Sequence, residues 1–229
     1  MSTPSIRIFN DIEQGTEEWH AIRRGIVTAS VVGLLITTKT MKPAANDGSR
    51  GLTMTLAAER ITNYTEPSAT SRDMLRGKLD EPFAREAYSR EHAPAIETGF
   101  MIRDDFGFQI GYSPDGLVGE NGLIEIKSRA QKKHLATILA DAVPAENMAQ
   151  IQTGLLVSGR EWCDYVSYCG GMPLWVRRVE PDPAWAEAII AAVAKFEENA
   201  AHMIGIYNMA TEGAQPTERI DHFGEVEIF

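Results

Sequence analysis

The chain has 229 residues, with 32 Asp and Glu against 22 Lys and Arg, a net charge of −10 and 44% hydrophobic residues. That is the length and apolar content of a single globular domain, 1–229, with a sizeable core. No apolar run approaches the ~18 residues of a membrane span, and no basic-then-apolar leader opens the chain, so a cytoplasmic location is expected. The two cysteines, Cys163 and Cys169, fall in one expected strand, too far apart to bond to each other, and read as buried thiols of a reducing compartment. The negative charge is uneven: 181–229 hold nine acids and two bases, and about 205–229 reads as an acidic C-terminal segment. Basic groups at Arg23-Arg24, Lys39, Lys42, Arg50, Arg72, Arg76, Lys78 and Lys127 to His134 are left to line a groove. The overall acidity therefore does not exclude a nucleic-acid partner.

In chain order, Thr16 is placed to cap a helix that begins Glu17-Glu18-Trp19 and ends at Gly25. A second helix is expected from Thr28–Ser30 to about Ile36. Residues 37–51, with Pro43, Asn46, Asp47, Gly48 and Gly51, read as a mobile loop. Helices follow at 52–64 and 71–91, the latter kinked or restarted at Pro82. Phe106 to Val118 and Leu123 to Ser128 have strand composition, joined by the hairpin signal Asn121-Gly122. A helix at about 145–157, strands near 162–169 and 173–180, and a helix from about Pro183 to Ile204 complete the chain. This order predicts an α/β fold, a central mixed sheet flanked by helices.

The hairpin carries the chemistry. Ser113-Pro114-Asp115-Gly116 stands before Gly122-Leu123-Ile124-Glu125-Ile126-Lys127-Ser128. Residues two apart on a strand face the same way, so Glu125 and Lys127 share one face, and Ile124 and Ile126 share the other, expected to be the core face. A turn at Glu120-Asn121 sets Asp115 across from Ile126, beside Glu125 and Lys127. Proline at 114 bends or ends its strand, because it cannot donate to a ladder. Two carboxylates can hold one or two magnesium ions beside a phosphate, and a lysine can steady the hydroxide and the charge developing on phosphorus. The same residues also suit an ordinary surface hairpin with a cross-strand charge cluster. Glu81 offers a third carboxylate or a solvated helix acid. Gln150, in Met148-Ala149-Gln150-Ile151-Gln152, offers a hydrogen bond to a phosphate, a water or the lysine, or plain packing.

Taken in order, Trp19-His20-x-x-Arg23-x-Gly25 with Thr28-Ala29-Ser30, Gly77-Lys78-x-x-Glu81, Ser113-Pro114-Asp115-Gly116, Glu125-Ile126-Lys127 and Met148 to Gln152 resemble the bacteriophage lambda exonuclease family, the YqaJ-like viral recombinases of the PD-(D/E)xK nucleases. The resemblance spans roughly residues 10 to 200. It implies a PD-(D/E)xK nuclease core and a magnesium-dependent 5′-to-3′ exonuclease on double-stranded DNA. Such an enzyme releases 5′-mononucleotides and leaves a 3′ single strand for a phage annealing protein. It also implies a homotrimeric ring around DNA, two Mg²⁺ ions with Mn²⁺ as a substitute, and a bacterial host cytoplasm. By position, Asp115, Glu125 and the Ile126 carbonyl ligate metal, and Glu81 supports the second ion directly or through water. Lys127 activates the attacking water, with Gln150 beside it. Arg23, Ser30 and Ser113 form the 5′-phosphate pocket. Met74 sits where the family has an apolar wedge, although its helical spacing suits core packing. The family's minor-groove arginine aligns near Thr40, leaving Lys39, Lys42 or Arg50 as replacements for duplex grip, and Arg72 is a further DNA-binding candidate near Met74. Pro82 directly after Glu81 departs from the pattern and could shift that carboxylate. The rival expectations are a restriction- or repair-type endonuclease and a non-catalytic DNA-binding protein on the same fold.

Overall fold

A computed structural model of the chain describes residues 5–13, 15–67 and 71–220. Strand β1 (Ile6–Phe9) is followed by helix α1 (Glu17–Arg23), whose first turn is closed by the Thr16 hydroxyl accepting from the Trp19 N–H at 3.2 Å. Strand β2 (Val27–Thr28), a 3₁₀ turn (Val32–Leu35) and strand β3 (Ile36–Thr37) replace the expected second helix. Its apolar residues Val27, Ala29, Val32 and Ile36 are buried without a helical stripe.

Strand β4 (Lys42–Pro43) pairs with β3, and helix α2 (Asp47–Thr62) starts five residues earlier than expected. The glycines at 48 and 51 suggested a loop. A reciprocal cap overrides them: Asn46 Oδ1 accepts from the Ser49 N–H at 2.9 Å, and the Asn46 N–H donates to Ser49 Oγ at 3.1 Å. Helix α3 (Arg72–Glu91) runs through Pro82, losing only the bond that its nitrogen would donate to the Lys78 carbonyl.

Short strands β5 (Ala95–Ile96) and β6 (Phe100–Arg103) were not anticipated. The expected strand 106–118 is two strands, β7 (Ile110–Tyr112) and β8 (Gly116–Val118), broken at Ser113-Pro114-Asp115. Strand β9 (Gly122–Ser128) follows, then helix α4 (Gln131–Ala140), also not anticipated, and α5 (Ala145–Ser158). Strands β10 (Trp162–Tyr168) and β11 (Trp175–Val179) lead to helix α6 (Pro183–Ala210), which runs six residues past its expected end. The acidic segment from 205 therefore begins inside a helix; its last part, 221–229, lies outside the described residues. Cys163 and Cys169 are buried free thiols, as expected.

Among the described residues there are two mixed sheets rather than one, besides the β3–β4 pair. The first has the order β1-β6-β7-β2, and the second β11-β10-β9-β8-β5. Within the second, only β9 and β10 run parallel. The break at Ser113-Pro114-Asp115 passes the chain from the first sheet to the second. The β8–β9 loop is three residues, not two, because Gly119 (φ +53°) joins the turn in the left-handed region. The register moves by one: Val118 faces Gly122 and Gly116 faces Ile124, which brings Asp115 opposite Glu125 instead of Ile126.

Strand β9 is covered on both faces. Ile124 and Ile126 pack with Ala84 and Tyr88 of α3 and Val166 of β10. Leu123 belongs to the larger core with Ile110, Tyr112, Ile151 and Phe196. Glu125 is therefore not on a solvent face, as the alternation suggested, but fully buried. Among the described residues no helix is long and apolar enough to cross a membrane.

Candidate active site

The end of one sheet, the start of the other and helix α5 meet at Glu125. Its carboxylate, 0% exposed, accepts from Lys127 Nζ at 2.7 Å and from the Tyr112 hydroxyl at 3.4 Å. Lys127 Nζ also donates to Gln150 Oε1 at 3.0 Å. Helix α5 reaches this point because Gly154 lies against the Tyr112 ring; a Cβ there would stand 2.6 Å from Cζ. Asp115 Oδ2 accepts from the Ile126 N–H at 2.6 Å. A strand residue directs its N–H and C=O to the same edge, so the Ile126 carbonyl also points toward Asp115, past the start of β8.

The part-buried Asp115 and the fully buried Glu125 repel each other. The Asp115 carboxyl is pushed well above its ordinary range, first by burial and then by the Glu125 charge, against the pull of Lys127. Burial likewise raises Glu81, opposed by Arg85. Burial works to lower Lys127, but the charges of Glu125 and Asp115 outweigh it and hold the ammonium above its usual value. Lys127 is thus a proton-holding cation at neutral pH. One ammonium does not balance two carboxylates, and the site retains a demand for positive charge.

That demand fits magnesium. Among the described residues no three His, Cys, Asp or Glu side chains form a closed metal cage. Magnesium does not require one, since one or two carboxylates, with phosphate and water, are its usual set. Asp115, Glu125 and the Ile126 carbonyl supply only oxygen. Glu81 stands apart, paired to Arg85, which also donates to the Asp115 carbonyl at 2.7 Å. It lines the same cleft of about 910 Å³ as Asp115, Ser113, Trp19 and Lys78. Pro82 has not broken the helix that carries it.

The raised Asp115 has a consequence for stability. A folded-state carboxyl above its unfolded value, about 4, stabilises the fold fully below that value. The contribution is lost as pH rises through the folded pKa. A divalent cation offsets the loss only where the carboxylates are ionised. Magnesium is therefore expected to raise the melting temperature more at pH 8 than at pH 5, and Asp115→Asn to shrink the difference. Equal shifts at both pH values, read by thermal denaturation, would contradict the site.

Arg23 and Ser113 are also brought together, Nη1 to Oγ at 3.2 Å. The guanidinium lies 4.0 Å from the Trp19 ring centroid and 4.8 Å from that of Phe100. Burial lowers its pKa to about 10, with the Glu59 charge opposing, so it remains charged at neutral pH. The loop beyond it is clamped by neighbouring residues of α2. The Gly25 N–H donates to Glu59 Oε2 at 2.7 Å, and its carbonyl accepts from Arg60 Nε at 2.8 Å. Gly25 has φ +68°, and a Cβ there would meet Arg60 Cγ at 2.5 Å, so only glycine fits. Arg60 is held in turn by both carboxylate oxygens of Glu197 on α6.

Ser30 is exposed, and its hydroxyl is shared with Thr28 at 3.1 Å rather than with Arg23 or Ser113. It follows the Thr28–Gly111 pair by two residues, as Ser113 does on the neighbouring strand. Met74 is 58% exposed, so packing into a core is not its role. Met74, Arg72, Lys39, Lys42 and Arg50 do not line the cleft that holds the acids, and Arg50 is paired with Asp47.

Sequence reasoning missed Tyr112, Arg85, Phe100 and the Glu59–Arg60 clamp. Of these, Arg85 had a signal, an acid four residues before a base on one helix face. The others come from distant segments and had none.

A family model described as the YqaJ-like viral recombinase domain matches residues 18–161. Among solved structures, an alkaline exonuclease from Laribacter hongkongensis is 33% identical, covering 85% of this chain and 97% of its own, with a TM-score of 0.76. The same enzyme in complex with dAMP is 34% identical over the same shares, with a TM-score of 0.74. A phage-related exonuclease from Haemophilus somnus 129PT covers 80% of this chain and 96% of its own at a TM-score of 0.65. At 12% identity that likeness concerns the fold alone. No curated protein matches the chain.

Proposed function

The chain belongs to the YqaJ-like viral recombinase family, and from that premise we propose a magnesium-dependent exonuclease that degrades one strand of linear duplex DNA from its 5′-phosphorylated end. One observation carries this reading. Asp115 of the Asp115–Glu125–Lys127 cluster and Ser113 of the Arg23–Ser113 pair are two residues apart along the chain, and both open on one cleft. The exonucleases of similar sequence and fold support the class of reaction.

Asp115, Glu125 and the Ile126 carbonyl would hold the metal, and Glu81 a second ion, directly or through water. A bound magnesium ion supplies Lewis-acid chemistry, activating water at neutral pH and stabilising charge on phosphate oxygens. Arg23 and Ser113, with Ser30 at the edge, bind the terminal phosphate dianion and so place the first phosphodiester over the acids. Lys127 keeps its proton, orients the attacking water by hydrogen bonding and stabilises negative charge as it develops on phosphorus. Gln150 fixes the position of Nζ. Tyr112 holds the Glu125 oxygen that Lys127 does not.

The products are 5′-mononucleotides and a 3′ single strand for a phage annealing protein in the host cytoplasm. A homotrimeric ring would keep the enzyme on its DNA, and manganese is expected to substitute for magnesium. The test uses linear duplex with a 5′-phosphate, the same duplex with a 5′-hydroxyl, and closed circular DNA, each with Mg²⁺ or EDTA. Rapid digestion of the first alone, abolished by EDTA, is expected. Cutting of the circle at an equal rate would establish an endonuclease instead. No digestion of any substrate would leave a DNA-binding protein.

A further inference from the structure

One more cation stands just past the end of strand β9, beyond Lys127. Arg129 lies two residues on, and its N–H extends the parallel ladder to the Tyr168 carbonyl at 2.8 Å. Helix α5 shows that the two side chains share a face: Gln150 meets Lys127, and Asn147, one turn earlier on the same side, meets Arg129. Alternate strand residues are about 6.6 Å apart, a step comparable with that between successive phosphates of one DNA strand.

The partners of Arg129 are neutral. Its Nη2 donates to Asn147 Oδ1 and, at 3.0 Å, to the Tyr165 hydroxyl. Its Nε is buried and has no partner among the described residues. Several part-buried arginines are matched to carboxylates, Arg85 to Glu81 and Glu97, Arg103 to Asp105 and Arg60 to Glu197, whereas Arg23, which meets the Ser113 hydroxyl, and Arg160, which meets the Gly119 and Gly122 carbonyls, are not. Arg129 makes no such pair among the described residues. A guanidinium with neutral partners keeps both its charge and spare donors, which suits an anion. It opens on a cleft of about 350 Å³ with Lys133 of α4; Glu146 is the one acid in the lining.

We propose that Arg129, assisted by Lys133, binds the backbone phosphate next to the scissile one on its 3′ side, in the strand being degraded. The 5′ side offers only the terminal phosphate, which Arg23 and Ser113 take. The inference rests on the exonuclease reading and adds a third phosphate contact to it. Three successive phosphates would then be gripped by Arg23–Ser113, by the acid–lysine cluster and by Arg129.

The test replaces single linkages of a 5′-phosphorylated duplex with an uncharged methylphosphonate and follows release of the first nucleotide. With wild-type protein, neutralising the linkage 3′ to the scissile one is expected to lower kcat/KM by about 10-fold or more, chiefly through KM. Neutralising a linkage several steps further should cost about 2-fold at most. Arg129→Gln should lose a similar factor on natural DNA and lose little more when that same linkage is neutral. Lys133→Gln, at an exposed position, should show a smaller version of the same coupling. Equal effects at all linkages, no effect at the named one, or additive losses for Arg129→Gln and the neutral linkage would overturn the assignment. The wild-type arm decides even if Arg129→Gln fails to fold. Wild-type protein that digests no DNA would end the exonuclease reading and this one together. Normal digestion with an indifferent linkage would end only this one.

Discussion

Lys127→Ala is expected to slow digestion of a 5′-phosphorylated linear duplex by about 10²–10³-fold. Among the described residues the ammonium is the only side-chain cation bonded to the Glu125 carboxylate, and in the proposed reaction its charge would face the phosphorus as negative charge develops. Because the surrounding acids hold Lys127 protonated, its contribution is electrostatic and positional rather than that of a general base. Raising the pH over the neutral range should therefore not recover the variant. The substitution also strands Glu125, which keeps only the Tyr112 hydroxyl at 3.4 Å. A buried carboxylate without its partner is costly, so the metal-free variant should also melt earlier, by the equivalent of about 3 kcal/mol at most, given the partial exposure of Lys127. Magnesium should recover part of that loss but not the rate. Gln150→Ala, which only loosens Nζ, should cost about 10-fold. Nucleotide release and a thermal melt separate the two effects. A Lys127→Ala rate within 10-fold of wild type would remove Lys127 from the mechanism.

Arg23→Ala has the second large effect, and a selective one. A charge-assisted hydrogen bond contributes about 1.5–3 kcal/mol, equivalent to about 10–150-fold in binding. That loss should fall on 5′-phosphorylated ends, while 5′-hydroxyl ends, which lack the dianion, should change by about 2-fold. The variant should therefore lose its preference between the two. Arg23→Lys should not restore it, because an ammonium cannot keep the flat stacking between Trp19 and Phe100 while donating to Ser113. Equal slowing of both kinds of end would place Arg23 in scaffold rather than pocket.

The difference between these two side chains marks where sequence reasoning works. Glu125 and Lys127 lie two apart on an obvious strand, and strand periodicity places them together without further information. Arg23 and Ser113 are 90 residues apart, and no local rule joins them; the family resemblance did. The hairpin was legible, but its register was not, because whether Gly119 enters the turn is decided by the fit of β8 against β9. Helix α2 was misjudged because composition counted Gly48 and Gly51 while the Asn46–Ser49 cap outweighed them. The burial of Glu125 was hidden for a different reason. Alternation assumes one wet face, and β9 is a central strand covered on both.

The constellation of Asp115, Glu125 and Lys127, the mixed α/β class with helices at 17–23, 72–91, 145–158 and 183–210, and the residue types able to hold magnesium and phosphate were legible in sequence alone. They depend on spacing and side-chain chemistry, which are local. Tertiary structure alone decided three things. It split one expected strand at Pro114 between two sheets, so that Asp115 could turn onto Glu125. It buried Glu125 fully and Asp115 in part, making the site hold less positive charge than its carboxylates need. It also left Arg129 among neutral partners, the Asn147 amide and the Tyr165 hydroxyl. Each depends on which distant surfaces exclude water from a group, and a charge's energy is set by that exclusion far more than by its neighbours in sequence.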